Sequence, residues 1–279
     1  MIVSGKALVA GVMGWPVGHS RSPRLHGFWL REYGIDGAYV PLAVPPERVE
    51  QAIRALPALG LRGCNVTVPH KEAALRAVDA LDPAARRIGA VNTIVVRPDG
   101  SLEGRNTDSF GFIQNLHAAL PGLEFGQPSV VVGAGGAARA VVVALLEAGA
   151  PLVRVGNRSR DRAEALAAEL GGPIEVVDWA ERSDALAGAG LLVNTTTLGM
   201  AGQPPLEIDL TPLPRTAVVT DIVYTPLTTP LLAEAGRRGN PVVDGIGMLL
   251  HQARPGFAAW FGVEPAVTPA LRRFVLDGR

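Results

Sequence analysis

The stretch VVVGAGGAA, residues 130–138, decides how the middle of the chain folds. Its β-branched residues predict a buried strand, and the alanine-rich run that follows predicts a helix. Between them, Gly133, Gly135 and Ala138 fall on the spacing G-x-G-x-x-G/A. The first glycine permits a tight turn, the second lets a pyrophosphate approach the backbone, and the small third residue lets helix and strand pack closely. The stretch therefore predicts a dinucleotide site at the N-terminus of this helix, where N–H groups and the helix dipole favour an anion.

The residues after the next strand favour NADP over NAD. That strand covers residues 152–156, and an NAD site carries an acidic residue near its end to hold the ribose 2′-hydroxyl. This chain has Asn157, Arg158 and Ser159 there instead. A carboxylate would repel a 2′-phosphate, whereas a guanidinium pairs with it, so Arg158 predicts NADP. The alternative for Arg158 is a plain surface charge, and Arg162 is equally a second phosphate contact or a surface charge.

The rest of the middle region continues the alternation of strands and helices. Strands are predicted at residues 191–193 and 217–224, with polar residues at their ends, and a helix at residues 231–238. Such alternation predicts a Rossmann-type, doubly wound parallel sheet, with ligand-binding loops at the carboxyl ends of the strands. Residues 121–128, bounded by prolines, predict the linker into this domain.

Length and composition limit the classes of protein. A chain of 279 residues is long for one domain and comfortable for two. Lys+Arg and Asp+Glu are equal at 26 each, which argues against a broad basic face for nucleic acid. No apolar run reaches bilayer length and no signal peptide is recognised, so we expect a cytoplasmic protein with no membrane partner. The single cysteine, Cys64, and the five scattered histidines predict neither a disulfide nor a metal site.

Lysine usage singles out one residue. Lys6 and Lys71 are the only lysines, so the chain uses arginine almost wherever it carries a positive charge. A retained lysine suggests a task that arginine cannot perform, because lysine releases its proton in proteins and arginine does not. Lys71 follows the strand predicted at residues 63–68 and precedes a helix predicted at 72–81. It therefore stands where α/β units bind ligands, although a solvated surface lysine is the alternative.

Polar residues next to predicted helices and strands mark a second site. Ser20 and Ser22 are separated by one residue beside a helix start and could hold a carboxylate. Ser22 before Pro23 is equally typical of a helix N-cap, and Asp108 before the helix that follows it is typical of another. Asn65 and Thr67 have the period of two that gives one strand face, so this face is either half exposed or lines a pocket.

With these residues in view, the chain resembles the shikimate dehydrogenase family over essentially its full length. Several separate motifs occur in the family's order: residues 14–16 (GWP), 19–23 (HSRSP) with His26, 65–71 (NVTVPHK), 89–93 (GAVNT), 106–108 (NTD), the glycine turn, 157–159 (NRS), 194–196 (NTT) and 245–252. The chain departs from the family pattern in two small ways. Gly27 stands where asparagine is common, and Ser159 stands where threonine is common.

The resemblance implies a fold and an activity. It implies two α/β domains around a cleft, with residues 1–108 plus 245–279 forming a substrate-binding catalytic domain and residues 109–244 an NADP-binding Rossmann domain. The implied reaction is the reversible NADPH-dependent reduction of 3-dehydroshikimate to shikimate, in chorismate and aromatic amino acid biosynthesis. The implied partners are these small molecules, and the state is a monomer or a homodimer.

The resemblance also implies roles for residues, carried over motif by motif. Lys71 and Asp108 look like the catalytic pair. The implied substrate contacts are Ser20 and Ser22 for the carboxylate, Thr67, Asn92 and Gln252 for ring hydroxyls, and Tyr224. The implied NADP contacts are Gly133, Ala134, Gly135, Gly136, Ala137, Asn157, Arg158 and Ser159, with Thr195, Val223, Gly245 and Met248 nearer the nicotinamide.

Three alternative functions stay open on the sequence. The first is a quinate or dual-specificity dehydrogenase on the same fold, against which Ser22 and the absence of an acid beside Arg158 both argue. The second is a non-catalytic module that senses NADP. The presence of both Lys71 and Asp108 argues against it. The third is a dehydrogenase of another small acid, and motifs alone do not separate it from the family's usual substrate.

Overall fold

The computed structural model describes residues 3–277, which divide into two compact units. One unit contains the residues up to Asp108 together with those from Leu249 onward, and the other is Ser109–Met248. Within residues 3–277 no helix is both long and apolar enough to cross a bilayer.

The described residues form twelve strands and ten α-helices. The first half contains β1 Leu8–Gly14, α1 Ser22–Glu32, β2 Gly37–Ala43, α2 Val49–Ala55, β3 Gly63–Val66, α3 Lys71–Ala77, β4 Ala80–Leu81, α4 Pro83–Ile88, β5 Thr93–Val96, β6 Leu102–Arg105 and α5 Asp108–Ala119. The second half contains β7 Ser129–Val132, α6 Gly136–Glu147, β8 Val153–Gly156, α7 Arg160–Leu170, β9 Ile174–Val177, β10 Leu191–Asn194, β11 Val218–Asp221, α8 Pro230–Arg238, β12 Val242–Val243, α9 Ile246–Phe261 and α10 Pro269–Leu276.

The sheet of the first unit is mixed, in the order β2-β1-β3-β5-β6-β4. Strands β1, β2 and β3 are parallel, whereas β5 runs antiparallel to both β3 and β6. The β5–β6 hairpin follows from the turn at residues 98–100, where Gly100 takes a φ of +83° and Asp99 accepts hydrogen bonds from Ser101. The hairpin brings the residues just before β5 beside those just after β6, and this pairing builds the site described below.

The sheet of the second unit is parallel throughout, in the order β12-β11-β10-β7-β8-β9. Every residue of β7, β10 and β11 is buried, as expected for central strands covered on both faces. The order reverses between β7 and β10, next to the glycine turn, which is the topological switch point where doubly wound sheets bind ligands. The predicted Rossmann-type architecture is confirmed.

One predicted helix is too long. The sequence predicts a helix over residues 72–81, but α3 ends at Ala77 and residues 80–81 form strand β4 beside β6. The carboxylate of Asp79 accepts a hydrogen bond from Leu102 N, at 2.8 Å, and is ion-paired with Arg54. These non-local partners hold the chain in an extended conformation, which the local helical pattern does not reveal.

The alternative of an N-cap at Ser22 is wrong, and Asp108 also lies at the first position inside its helix. Ser22 is already the first residue of α1, whose N-cap is Arg21 with no side-chain cap, and Ser20 Oγ accepts from Ser22 N at 3.3 Å. Asp108 is likewise the first residue of α5, and Asn106 Oδ1 accepts from its N–H at 3.0 Å. In both places the side chain two positions earlier, Ser20 or Asn106, accepts the hydrogen bond from the backbone N–H. The side chains of Ser22 and Asp108 make other contacts.

Candidate functional site

Lys71 and Asp108 form an ion pair in the first unit. Lys71 begins α3, its side chain is 19% exposed, and its Nζ donates to Asp108 Oδ2. Thirty-seven positions separate the two residues along the chain. The backbone brings them together, because Lys71 O accepts from Val91 N at 3.0 Å and Asn92 N donates to Arg105 O at 3.0 Å.

Asn92 fixes the second oxygen of Asp108. Its Nδ2 donates to Asp108 Oδ1 at 2.8 Å and to Thr107 Oγ1 at 3.1 Å, while its Oδ1 accepts from Thr107 N at 2.9 Å. Asn92 is 2% exposed and Asp108 6%. With one oxygen on the ammonium and the other on an amide, the carboxylate has a single orientation, which is what a preorganised acid–base site requires.

Gln252 joins this cluster from α9. Its Oε1 lies 3.5 Å from Thr107 Oγ1, and its Nε2 donates to Leu249 O at 3.0 Å. Thr107 is thus a bridge between Asn92 and Gln252. Four residues predicted from the sequence, Lys71, Asp108, Asn92 and Gln252, therefore belong to one hydrogen-bonded group.

Ser22 is linked to the same group through Tyr39, Asn65 and Thr93, of which the sequence pattern singles out only Asn65. The buried Tyr39 hydroxyl donates to Asn65 Oδ1 at 2.5 Å, and Asn65 Nδ2 donates to Thr93 Oγ1 at 3.0 Å. Thr93 Oγ1 in turn donates to Asn92 Oδ1 at 2.9 Å. Burial raises the pKa of Tyr39 well above its usual value, and a hydrogen bond with Ser22 opposes that rise.

Of these connecting residues, only Asn65 left a signal in the sequence, as a polar residue at period two in an apolar strand. Tyr39 and Thr93 fit ordinary strand composition, so nothing local distinguishes them. Their assignment depends on the register of β3 against β5, where Asn65 lies opposite Thr93.

Thr67 lies just past the end of β3 and is partly buried. A Cβ on Gly14 would lie 2.5 Å from Thr67 Cγ2, so the glycine at the end of β1 makes room for this side chain. The hydroxyl of Thr67 has no hydrogen-bond partner within residues 3–277. It is therefore available to a ligand, although the structure does not bring it into the network around Asn92.

The glycine turn of the second unit has the shape that a dinucleotide needs. Gly133 has a φ of +115°, and a Cβ there would lie 2.5 Å from Thr195 Oγ1, so no other residue fits without strain. Gly135 is the N-cap of α6, offers no side-chain cap, and has open space where its Cβ would be. With Ala134, Gly136 and Ala137 it presents an uncapped helix N-terminus, and this arrangement fits a bound pyrophosphate.

Arg158 differs from its neighbouring arginine. Arg160 is held by Glu164 at 2.7 Å and Asp178 at 2.5 Å, whereas Arg158 is exposed and forms no ion pair with a residue in the range 3–277. Asn157 Nδ2 donates to Ser159 O at 2.8 Å, which fixes the short loop that carries Arg158. A guanidinium without a carboxylate partner at the end of β8 fits a 2′-phosphate.

The remaining predicted NADP contacts lie at the ends of other strands in the second unit. Thr195 Oγ1 donates to Val132 O at 2.7 Å, and Val223 N donates to Asp221 Oδ1 at 3.0 Å. A Cβ on Gly245 would lie 2.5 Å from the Ile222 carbonyl, so these two loops touch. Met248 is buried in this unit and Tyr224 is partly buried.

Comparison with protein families and with curated proteins gives one consistent answer. The profile described as the shikimate dehydrogenase substrate binding domain matches residues 12–94, and that described as shikimate/quinate 5-dehydrogenase matches residues 123–199. The chain is 67% identical over 276 residues to a protein of Paramagnetospirillum magneticum named shikimate dehydrogenase (NADP(+)), covering 99% of this chain and 100% of that one.

Solved structures agree with this similarity. Shikimate 5-dehydrogenase from Thermus thermophilus, solved with NADP(H) and shikimate, superposes with a TM-score of 0.86 at 38% identity, over 97% of this chain and 99% of that one. Quinate dehydrogenase from Corynebacterium glutamicum, solved with NAD, superposes with a TM-score of 0.90 at 31% identity, over 97% and 99%. The fold is thus common to enzymes with either substrate and either cofactor, whereas the 67% identity is to an NADP-named protein.

Proposed function

This chain belongs to the shikimate dehydrogenase family, and on that premise we propose how its residues carry out the reversible, NADPH-dependent reduction of 3-dehydroshikimate to shikimate. It is an NADP-dependent oxidoreductase of aromatic biosynthesis. The observation that carries the proposal is the Lys71–Asp108 ion pair, with its second carboxylate oxygen held by Asn92.

Proton transfer is the task of Lys71. Reduction of a ring carbonyl requires a proton at its oxygen as a hydride arrives at carbon, and NADPH supplies that hydride when bound. Lys71 donates the proton in reduction and accepts it in oxidation. Asp108 holds the ammonium in place and accepts a hydrogen bond from the same substrate hydroxyl.

Substrate recognition is divided between two groups of residues. Ser20 and Ser22 hold the carboxylate through their hydroxyls, near the start of α1. Thr67, Asn92 and Gln252 bind the ring hydroxyls, and Tyr224 adds a further contact. The support for this proposal is the unpartnered hydroxyl of Thr67 and the membership of Asn92 and Gln252 in the hydrogen-bonded group around the Lys71–Asp108 pair.

NADP is held by the glycine turn and by Arg158. Gly133, Ala134, Gly135, Gly136 and Ala137 surround the pyrophosphate at the start of α6. Asn157, Arg158 and Ser159 bind the 2′-phosphate end of the cofactor, with Arg158 supplying the charge. Thr195, Val223, Gly245 and Met248 lie towards the nicotinamide.

A steady-state assay that crosses shikimate and quinate with NADP and NAD tests the function. We expect turnover to be fastest with shikimate and NADP. By the family resemblance Ser22 argues for shikimate over quinate, and Arg158 has no acidic sequence neighbour to repel the 2′-phosphate. Equal turnover with quinate would favour the dual-specificity alternative. Binding of NADP without any turnover would favour the sensing module.

The cellular setting is a further part of the proposal. We propose a cytoplasmic enzyme that acts on small molecules as a monomer or homodimer, without nucleic acid or membrane partners. The balanced charge of the chain and its single buried cysteine support this. Cell fractionation and light scattering of the purified protein test it.

A further inference from the structure

Asp221 is a buried carboxylate that the proposed mechanism does not use. It is the last residue of β11 and is 0% exposed. Its hydrogen bonds come from neutral donors, with Oδ1 accepting from Val223 N at 3.0 Å and from Asn194 Nδ2 at 3.1 Å, and Oδ2 accepting from Thr229 Oγ1 at 2.8 Å. Burying a carboxylate among neutral groups is costly, so these three donors are needed to hold Asp221 in place.

Asn194, one of these three donors, also holds the loop after β10. It lies beside Asp221 in the parallel register, and its Oδ1 accepts from Thr196 N at 3.0 Å and from Thr196 Oγ1 at 2.7 Å. Its Nδ2 also donates to Leu198 O at 3.0 Å. These bonds hold both flanks of Thr195, which lies between Asn194 and Thr196.

The other two donors, Val223 N and Thr229 Oγ1, belong to the loop after β11 and fix it to Asp221. The Val223 N–H is bound directly, so the turn that carries Val223 and Tyr224 closes onto the carboxylate. Thr229 is the N-cap of α8 and accepts from Leu232 N at 3.4 Å while it donates to Asp221. The loop after β11 is thus held at both ends by one side chain.

We infer that Asp221 is a positioning residue that holds the loops after β10 and β11 in the arrangement needed for the nicotinamide end of NADP. The inference rests on the proposed function, because it takes Thr195 and Val223 as the residues towards the nicotinamide. Arg158 and the glycine turn, which bind the phosphates, make no hydrogen bond to Asp221 within residues 3–277. Loss of Asp221 therefore weakens the nicotinamide end of the cofactor more than the 2′-phosphate end, which Arg158 holds.

Binding of two ligands measured by calorimetry separates the two ends. Adenosine 2′,5′-bisphosphate carries the 2′-phosphate and lacks the nicotinamide. In Asp221→Ala we expect the Kd for NADP to rise about tenfold and that for the bisphosphate to change less than about twofold, since three buried donors lose their acceptor. Asp221→Asn should recover most of the NADP affinity, because its amide oxygen still accepts at Oδ1 and the Thr229 hydroxyl can accept instead of donate.

Asn240→Ala is the matched control. Asn240 is also buried in the second unit, where its Nδ2 donates to Pro214 O and Ala217 O, both at 2.9 Å, on the approach to the amino ends of β11 and β12. Its loss removes a comparable buried network at the other end of the strands, and both Kd values should stay at wild-type levels. If Asp221→Ala lowers the affinity for NADP and for the bisphosphate by the same factor, the effect is a general structural one and the inference is overturned. The same conclusion follows if Asn240→Ala lowers the NADP affinity as much as Asp221→Ala does.

Two further outcomes are distinguishable. If Asp221→Ala shows no cooperative melting transition, Thr229→Val removes one donor to the carboxylate with little change of shape, and the same selective loss of NADP binding is expected. If the wild-type protein oxidises shikimate with NADP while both variants keep its NADP affinity, the inference alone is wrong. A wild-type protein that binds no NADP refutes the proposed function as well.

Discussion

The ring of His26 makes the stability of the first unit depend on pH. His26 is fully buried and lies parallel to the Tyr39 ring, with the ring centroids 3.9 Å apart and an interplanar angle of 2°. Neither ring nitrogen has a hydrogen-bond partner in the described structure. Burial lowers the pKa of His26 from 6.5 to about 3, because the charged form would lose its hydration without gaining a partner.

The sign and size of the effect follow from linkage. The folded pKa lies below the unfolded one, so the unfolded state binds more protons between the two values. The contribution to stability is complete above the unfolded pKa of 6.5 and is lost as the pH falls towards about 3. At 1.36 kcal/mol per unit, the loss is about 2 kcal/mol at about pH 5 and at most roughly 5 kcal/mol in strong acid.

Replacement of His26 by phenylalanine isolates this contribution. The variant keeps a ring against Tyr39 and has no group to protonate, so its unfolding free energy should fall about 2 kcal/mol less than that of wild type between about pH 8 and pH 5. Urea unfolding followed by tryptophan fluorescence at both pH values measures it, and His19→Gln, at an exposed histidine, is the control. The reasoning is refuted if His26→Phe shows the same pH dependence as wild type.

Three further predictions concern the reaction and its cofactor. Lys71→Met should lower kcat by about a hundredfold or more while NADP binding in calorimetry is unchanged, and near-normal turnover would disprove the proton-transfer role. Arg158→Ala should raise the KM for NADP by roughly tenfold or more, with little change in the KM for NAD. Arg160→Ala is the control and should change neither KM, because Arg160 is already paired with two carboxylates. If both variants raise the KM for NADP equally, Arg158 does not bind the 2′-phosphate. Gly133→Ala should cost about 1–3 kcal/mol in chemical unfolding and weaken NADP binding, because its Cβ meets Thr195 at positive φ, and a variant as stable as wild type would contradict this.

The sequence alone predicted the architecture of the second unit well. Its strands are apolar, α6 and α7 directly follow β7 and β8, and the glycine spacing lies between β7 and α6, so neighbouring residues carry most of the necessary information. The same holds for Lys71 at the start of α3, since the preceding Pro69 and the strand before it are local signals. Local signals fail where a distant partner decides, as at Asp79, whose bond to Leu102 N ends α3 early.

The pairing of Lys71 with Asp108 is where the tertiary structure adds most. In the sequence, Lys71 and Asp108 are each candidates because of their own positions beside a predicted helix. Only the resemblance to a family predicts that they act as a pair. Only the β5–β6 hairpin brings Asn92, Thr107 and Asp108 together, and only the register of β3 against β5 makes Asn65 a neighbour of Thr93.

What the sequence by itself determined is thus the order of most strands and helices, the glycine turn and NADP as the cofactor. The tertiary structure decided which side chains share hydrogen bonds, including the buried acceptor at Asp221 and the unpartnered ring of His26. The physical reason is that backbone conformation depends mainly on residues within a few positions, whereas side-chain pairing and burial depend on strand register between distant segments.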